Sequence, residues 1–301
     1  MLATAPRSDR LRPMSLPADL TLREATLDDL ADIAALRASA GWGANEWALR
    51  AVIGQTHARC VVVVDRADVA VAVGSGIAYG PLGFVGNMVV AEAHQRRGIG
   101  SVVLEAITSF LEAAGCGRLE LNATSEGRLL YERHGFSTIG TSATATVGRN
   151  VALEPDPAIG VRRGDARPDV DAVVAYDRPR FGGDRRPLLE LLGSDPAVQF
   201  LVAGDGGQVA GYACLRDDPP RIGPFLAETP DIAASLMSSA FAEADGVDAL
   251  RINLPPNNRP GAAWLRGLGI EIEPWDGRMG RGPQVPRRDE TVYGMAVGAL
   301  G

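Results

Sequence analysis

Along the 301-residue chain the apolar positions switch between a period of two and a period of about 3.6, which predicts an α/β protein with a mixed sheet. A short strand from Leu20 to Arg23 precedes a helix from Leu27 to about Ser39, with Leu30, Ile33, Ala34 and Leu36 on one face. Two β-branched runs, Cys60–Asp65 and Val69–Ala78, flank Arg66-Ala67-Asp68 and predict a hairpin. A third run, Phe84–Val90, ends in a polar loop. That loop feeds a helix carrying Ile99, Val103, Ile107, Phe110 and Leu111 at helical spacing. Leu119–Leu121 reads as a strand, Glu126–His134 as a helix closed by Gly135, and Phe136 opens another strand. The order is an antiparallel start followed by a strand-loop-helix-strand crossover.

Two prolines and acidic residues between Val151 and Pro157 predict a linker, and after it the order recurs at an offset of about 135 residues. Phe200–Ala203, the turn Gly204-Asp205-Gly206-Gly207 and Val209–Leu215 predict a second hairpin. Ile222-Gly223-Pro224-Phe225-Leu226 parallels Val85-Gly86-Asn87-Met88-Val89, Leu250–Leu254 parallels Arg118–Asn122, and Leu268-Gly269-Ile270 parallels His134-Gly135-Phe136. The expected organisation is a flexible leader (1–17), one fold (18–150), a linker (151–158) and a second copy (159–301). The copies differ where chemistry would sit. The first has Glu92-Ala93-His94-Gln95-Arg96-Arg97-Gly98-Ile99-Gly100 after its central strand, the second only Glu228-Thr229-Pro230-Asp231. Leu265 stands where the first copy has Tyr131.

Charge narrows the classes. The net charge of −7 argues against a nucleic-acid partner, which needs a basic face. All 30 basic residues are arginine, so the chain offers no side-chain amine of its own to modify. Three cysteines, Cys60, Cys116 and Cys214, make no disulfide framework and point to a reducing, cytoplasmic setting. His57, His94 and His134 lie at no metal-ligand spacing, and no metal is expected. No apolar run approaches the ~20 residues that cross a bilayer, and the arginines near the N-terminus precede no apolar signal region.

Gln95-Arg96-Arg97-Gly98-Ile99-Gly100-Ser101 carries the strongest chemistry. N–H groups at a helix start lack partners and attract anions. Gly98 and Gly100 let the main chain approach a diphosphate, and Arg96 and Arg97 add charge. With a strand before it and an amphipathic helix after it, this segment reads as a phosphate cradle rather than a solvated turn.

The segment resembles the acetyl-CoA pyrophosphate motif of the GNAT acetyltransferase superfamily. Leu121-Asn122-Ala123-Thr124, Gly127, Leu130-Tyr131-Glu132-Arg133 and Gly135-Phe136 resemble its second conserved segment. The second half resembles the degenerate partner of bacterial tandem GNAT proteins through Phe181-Gly182-Gly183-Asp184-Arg185, Ile222-Gly223-Pro224 and Arg278-Met279. The resemblance implies acetyl transfer from acetyl-CoA to an amine by direct attack. It implies that pantetheine lies between the splayed strands at Met88-Val89-Val90 and Leu119–Asn122, with the diphosphate on residues 95–101 and Asn122 and Thr124 nearby. It further implies that Tyr131 protonates the departing thiolate. A phenol of pKa about 10 can do so for a thiol of about 8.5 when held in place; the alternative is a tyrosine packed in the core.

Many family members carry a glutamate on the central strand, whereas Phe84–Val90 has no acid and Asn87 stands in the region. A base from elsewhere or a water relay are the alternatives, with Glu46 the candidate side chain. Glu46 lies in Gly41-Trp42-Gly43-Ala44-Asn45-Glu46-Trp47, where Trp42 and Trp47 either wall an acceptor pocket or pack in the core. Arg278-Met279-Gly280-Arg281-Gly282 either faces that pocket or forms a solvated loop. The expected acceptor is a small-molecule or peptide amine, with neither nucleic acid nor membrane as partner. The alternative function is an acetyl-CoA sensor without turnover.

Overall fold

The computed structural model describes residues 15–43, 45–164, 168–205, 208–217 and 219–301. Most of the expected leader, and Gly206 and Gly207 of the second hairpin turn, lie outside the described residues. The first half holds β1 (Thr21–Glu24), α1 (Leu30–Ser39), α2 (Glu46–Arg50), β2 (Ala58–Val64), β3 (Ala70–Tyr79) and β4 (Leu82–Val90). It continues with α3 (Ile99–Ala113), β5 (Arg118–Ala123), α4 (Arg128–Arg133) and β6 (Ser137–Gly148). The second half runs β7 (Val161–Arg163), α5 (Pro168–Phe181), α6 (Arg186–Ser194), β8 (Val198–Asp205), β9 (Gln208–Asp217) and β10 (Pro220–Ala227). α7 (Pro230–Glu243), β11 (Ala249–Leu254), α8 (Arg259–Gly267), β12 (Ile272–Arg281) and β13 (Val292–Gly294) complete it.

The α/β reading holds in both halves, and β2–β3 and β8–β9 are the two hairpins read from the β-branched runs. The strands form one mixed sheet in the order β1-β2-β3-β4-β5-β12-β6-β11-β10-β9-β8-β7, with β13 added on β10. The halves exchange their late strands. β12 pairs β5 of the first half, from Gly277↔Ala123 to Arg281↔Leu119. β6 pairs β11 of the second half, from Ala249↔Gly148 to Leu254↔Ala143.

Charge locks the exchange. Arg278 on β12 is 4% exposed and meets the Glu120 carboxylate of β5 at 3.0 Å, joined there by Arg118 and Arg287, each at 3.0 Å. The stretch at 278–282 therefore neither lines the cleft that holds Trp42, Glu46 and Trp47 nor forms a solvated loop. Most of it is strand, and the Arg278 guanidinium lies over the Phe84 ring with its centre 4.4 Å away.

The core follows the sheet across the linker. One buried cluster joins Ile33, Leu49, Tyr79 and Phe84 of the first half to Val173, Leu188, Tyr212 and Leu300 of the second. α3 buries Ile99, Val103, Leu104, Ile107 and Leu111 on the opposite face, each worth about 1.5–3 kcal/mol of burial. The turn after α5 docks on the first half, where the Asp184 N–H donates to the Tyr79 carbonyl at 2.8 Å. The Tyr79 hydroxyl in turn donates to the Leu300 carbonyl at 2.8 Å.

Candidate active site

β4 and β5 pair in parallel from Leu82↔Arg118 to Val85↔Leu121, where their pairing ends. The last residues of both strands form the arms of a fork. At its apex β4 carries a bulge, with the register to β3 shifting between Val73 and Ser75. Asn87 takes the left-handed conformation there, φ 54°, which asparagine tolerates better than most residues. Its side-chain amide donates to the Ser75 hydroxyl at 2.8 Å, and its oxygen accepts from Arg37 of α1. Met88, Val89 and Val90 form the open arm of β4, with Met88 and Val90 half-buried.

Residues 95–101 follow that arm and start α3. The Gln95 amide donates to the Val90 carbonyl at 3.1 Å, closing the turn. Arg96 (φ 59°) and Gly98 (φ 82°) are both left-handed, and Gly98 is the residue that caps the helix. The N–H groups of Arg96, Arg97, Gly98, Ile99 and Gly100 meet no acceptor among the described residues, whereas Ser101 N–H already bonds the Gly98 carbonyl at 3.0 Å. Five donors in sequence, two exposed arginines and a helix start make a cradle suited to a diphosphate. Arg97 is partly engaged, 3.4 Å from Asp19. Ile99 points into the core beneath the cradle, and Gly100 lies against Leu130 of α4.

Tyr131 is 6% exposed in the cluster formed by Ile99, Val103, Leu121 and Phe136, edge-on to Phe136 with ring centroids 6.1 Å apart. The Thr124 hydroxyl accepts the Gly127 N–H at 3.3 Å and so starts α4. Asn122 turns the other way: its amide donates to the Gly298 carbonyl at 2.8 Å and its oxygen accepts from the Ser142 hydroxyl at 2.8 Å.

Beyond the apex a cleft of about 680 Å³ opens between the halves. Trp42, Glu46, Trp47, Asn87 and Asn122, separated by up to 80 residues in sequence, all line it. Both tryptophans also pack against the shared core, so the same side chains line the cleft and pack in the core. Glu46 is exposed and pairs with Arg50 one helical turn on, at 2.5 Å. Among the described residues lining the cleft it is the sole carboxylate. Sequence reading missed Arg37, Arg216, Arg221, Arg251 and the segment Val297-Gly298-Ala299, which also line it. Gly86 shows how closely that segment approaches, since a Cβ there would stand 2.3 Å from the Ala299 carbonyl oxygen.

The equivalent fork of the second half is stapled shut. β10 and β11 share one parallel pairing, Arg221↔Arg251, and β13 then runs antiparallel to β10 through Phe225↔Gly294 and Leu226↔Val292. The Met295 N–H donates to the Asn253 carbonyl of β11 at 2.8 Å, so the chain after β13 bonds the second arm as well. A Cβ on Gly294 would lie 3.1–3.4 Å from Ile222, Phe225 and Ile252, which leaves no gap on either side.

Among the described residues no group of three or more His, Cys, Asp or Glu is placed to hold a metal ion, and no helix is long and apolar enough to cross a membrane. Two family models, each described as an acetyltransferase (GNAT) domain, match residues 56–138 and 173–294. An uncharacterised N-acetyltransferase, YitH, of Bacillus subtilis (strain 168) is 30% identical over 228 residues, spanning 74% of this chain and 78% of the relative. The structure of a candidate acetyltransferase from Pyrococcus horikoshii superposes with a TM-score of 0.80 at 21% identity, over 98% of this chain and 100% of the other. A tandem GNAT protein from the clavulanic acid biosynthesis pathway does so with a TM-score of 0.62 at 16% identity, over 88% and 99%. With one GNAT domain in each half and a relative of that family along most of its length, this chain belongs to the GNAT acetyltransferase family as a tandem member, and it is an acetyltransferase.

Proposed function

We propose that the chain transfers an acetyl group from acetyl-CoA to the amine of a small molecule, in the fork of the first half. One observation carries this reading. The open fork has unpartnered N–H groups on one side and, at its apex, a cleft of about 680 Å³ lined by polar and aromatic side chains. A volume of that size suits a small acceptor.

The donor is held by three parts of this chain: the backbone of Met88 and Val90, the cradle from Gln95 to Ser101, and the β5 arm. Bound there, acetyl-CoA supplies an acyl carbon with a thiolate leaving group. Asn87, Asn122 and the Gly298 carbonyl fix the apex where the acceptor nitrogen arrives. Tyr131 gives its phenolic proton to the sulfur as the carbon–sulfur bond breaks. The acceptor nitrogen loses its proton to water or to Glu46. Arg37, Arg216, Arg221 and Arg251 around the cleft disfavour an ammonium ion and so raise the share of neutral, nucleophilic amine. The strand therefore has less need of a carboxylate base.

The test is release of free thiol from acetyl-CoA with a panel of amines, paired with mass detection of the acetylated product. Product formation well above spontaneous hydrolysis is expected with at least one small amine. Tight acetyl-CoA binding with no product from any amine would replace this reading with that of a sensor.

A further inference from the structure

We infer that the cleft takes amines that also carry an oxyanion, a carboxylate or a phosphate, and that Arg216, Arg221 and Arg251 hold that group. The inference rests on the acetyl-transfer reading of the same cleft. Arg216 of β9 pairs directly with Arg221 of β10, and Arg221 pairs directly with Arg251 of β11. Residues directly opposite on neighbouring strands point to the same face, so three guanidinium groups stand abreast, and all three line the cleft.

Such a row destabilises the sheet unless something neutralises it, because like charges directly opposite repel. Three other buried arginines meet carboxylates: Arg185 meets Asp177 at 2.5 Å, and Arg118 and Arg278 meet Glu120 at 3.0 Å. Among the described side chains no carboxylate forms an ion pair with Arg216, Arg221 or Arg251. Arg216 is 8% exposed; it donates to the Ala296 carbonyl at 2.6 Å and stacks over Trp47 at 4.4 Å. Among the described residues its Nε finds no acceptor, and neither does the Nε of Arg221. Burial and the charge of Arg221 pull the Arg216 pKa down to about 10, and burial and Arg251 lower that of Arg221. Arg251 makes one neutral contact, to the Thr144 hydroxyl at 3.3 Å.

A carboxylate or phosphate supplies what the row lacks. Its oxygens accept from the unpartnered Nε groups, and its charge relieves the repulsion. The contrast with the whole molecule strengthens the assignment: the chain carries a net charge of −7, yet among the described residues its cleft is lined by four arginines and one carboxylate. Gly86, Asn87 and Asn122 line the same cleft at the apex of the fork. An acceptor within it thus has its anionic end at the arginine row and its amine at the apex.

Matched pairs of amines test this: an α-amino acid against its carboxamide, and a phosphorylated hexosamine against the unphosphorylated sugar. Thiol release should favour the anionic member of at least one pair by roughly 10²-fold in kcat/KM, and the responding pair identifies the oxyanion as carboxylate or phosphate. Arg251→Gln, at an exposed strand position, and Arg221→Gln should each reduce that preference about tenfold. Equal or better turnover of the neutral members would overturn the inference while leaving acetyl transfer intact. So would variants that lose acetyl-CoA affinity yet keep the preference. If no amine is acetylated, calorimetry with the same compounds decides. Binding of anionic members that Arg251→Gln weakens keeps the inference and removes the acetyl-transfer reading, and absence of any such binding overturns the inference.

Discussion

In the first half β4 and β5 part after Val85 and Leu121 and leave two free arms; in the second, β10 and β11 touch at Arg221 and Arg251, and β13 fills the space beyond them. The same architecture thus holds a slot in one place and a three-stranded seam in the other. Both bulged strands set a glycine against the same closing segment: Gly86 against Ala299, and Gly223 against Met295. The seam is satisfied by the chain's own main-chain groups, whereas the N–H row from 96 to 100 waits for an outside acceptor. Duplication here has kept the frame and divided the roles. One fork is left open, and strands of the other place Arg221 and Arg251 on the shared cleft.

The contrast can be broken first at Gly98. A Gly98→Asp side chain meets a left-handed backbone, at about 1–2 kcal/mol, and sets a negative charge among the cradle's donors. Acetyl-CoA affinity should fall by roughly 10²–10³-fold from a wild-type stoichiometry of one per chain. Calorimetry giving two sites, or an unchanged affinity, would mean that the second fork binds too.

Glu120 tests the charge lock next to the first fork, at the register position that Arg251 fills in the second. Glu120→Gln leaves Arg278 buried without its carboxylate and should cost about 3–5 kcal/mol in denaturant unfolding. Burial alone would raise the Glu120 pKa, but Arg278 and Arg287 hold it at about 2, below the ordinary value of 4.5. The folded-state pKa is depressed, so this stabilisation is complete above 4.5 and is lost as pH falls towards 2. The variant should lack that part of the acid slope, and an unchanged slope would place the lock elsewhere.

Tyr131→Phe removes only a hydroxyl. Turnover should fall by about 10²-fold while acetyl-CoA affinity holds. A collapse of affinity would make the residue structural, and unchanged turnover would assign protonation of the sulfur to water.

The smallest effect is expected at the apex. Gly86→Ala puts a methyl group 2.3 Å from the Ala299 carbonyl oxygen, so the closing segment must shift, at about 1–3 kcal/mol. The acceptor KM should rise more than the KM for acetyl-CoA, and an equal rise would place Ala299 on the donor side.

Local pattern explains what was legible beforehand. The cradle announces itself because two glycines, two arginines and a helix start are contiguous, and the duplication shows because strand and turn signals repeat. Trp42, Glu46 and Trp47 stand out because two tryptophans within six residues are uncommon in a chain with four. The arginine row leaves no such mark. Arg251 alternates with Leu250 and Ile252 as any half-exposed strand residue does, and only the registers of β9, β10 and β11 set it beside Arg221 and Arg216. β13 is three residues long, too short for a period to identify. Asn122 reads as part of the donor motif, yet the exchange of β12 and the closing segment turns it towards Gly298 and Ser142.

The strand exchange also dictates the order in which this chain can mature as it is synthesised. When the ribosome has made β5, the strand's free edge waits for β12, whose first residue lies about 150 positions further on. β6 emerges with both of its eventual partners, β11 and β12, still unmade. Until then a bare edge and a 12-residue strand stay open to pairing with other nascent chains. The first half, although made before the second, is completed only once β12 has been made.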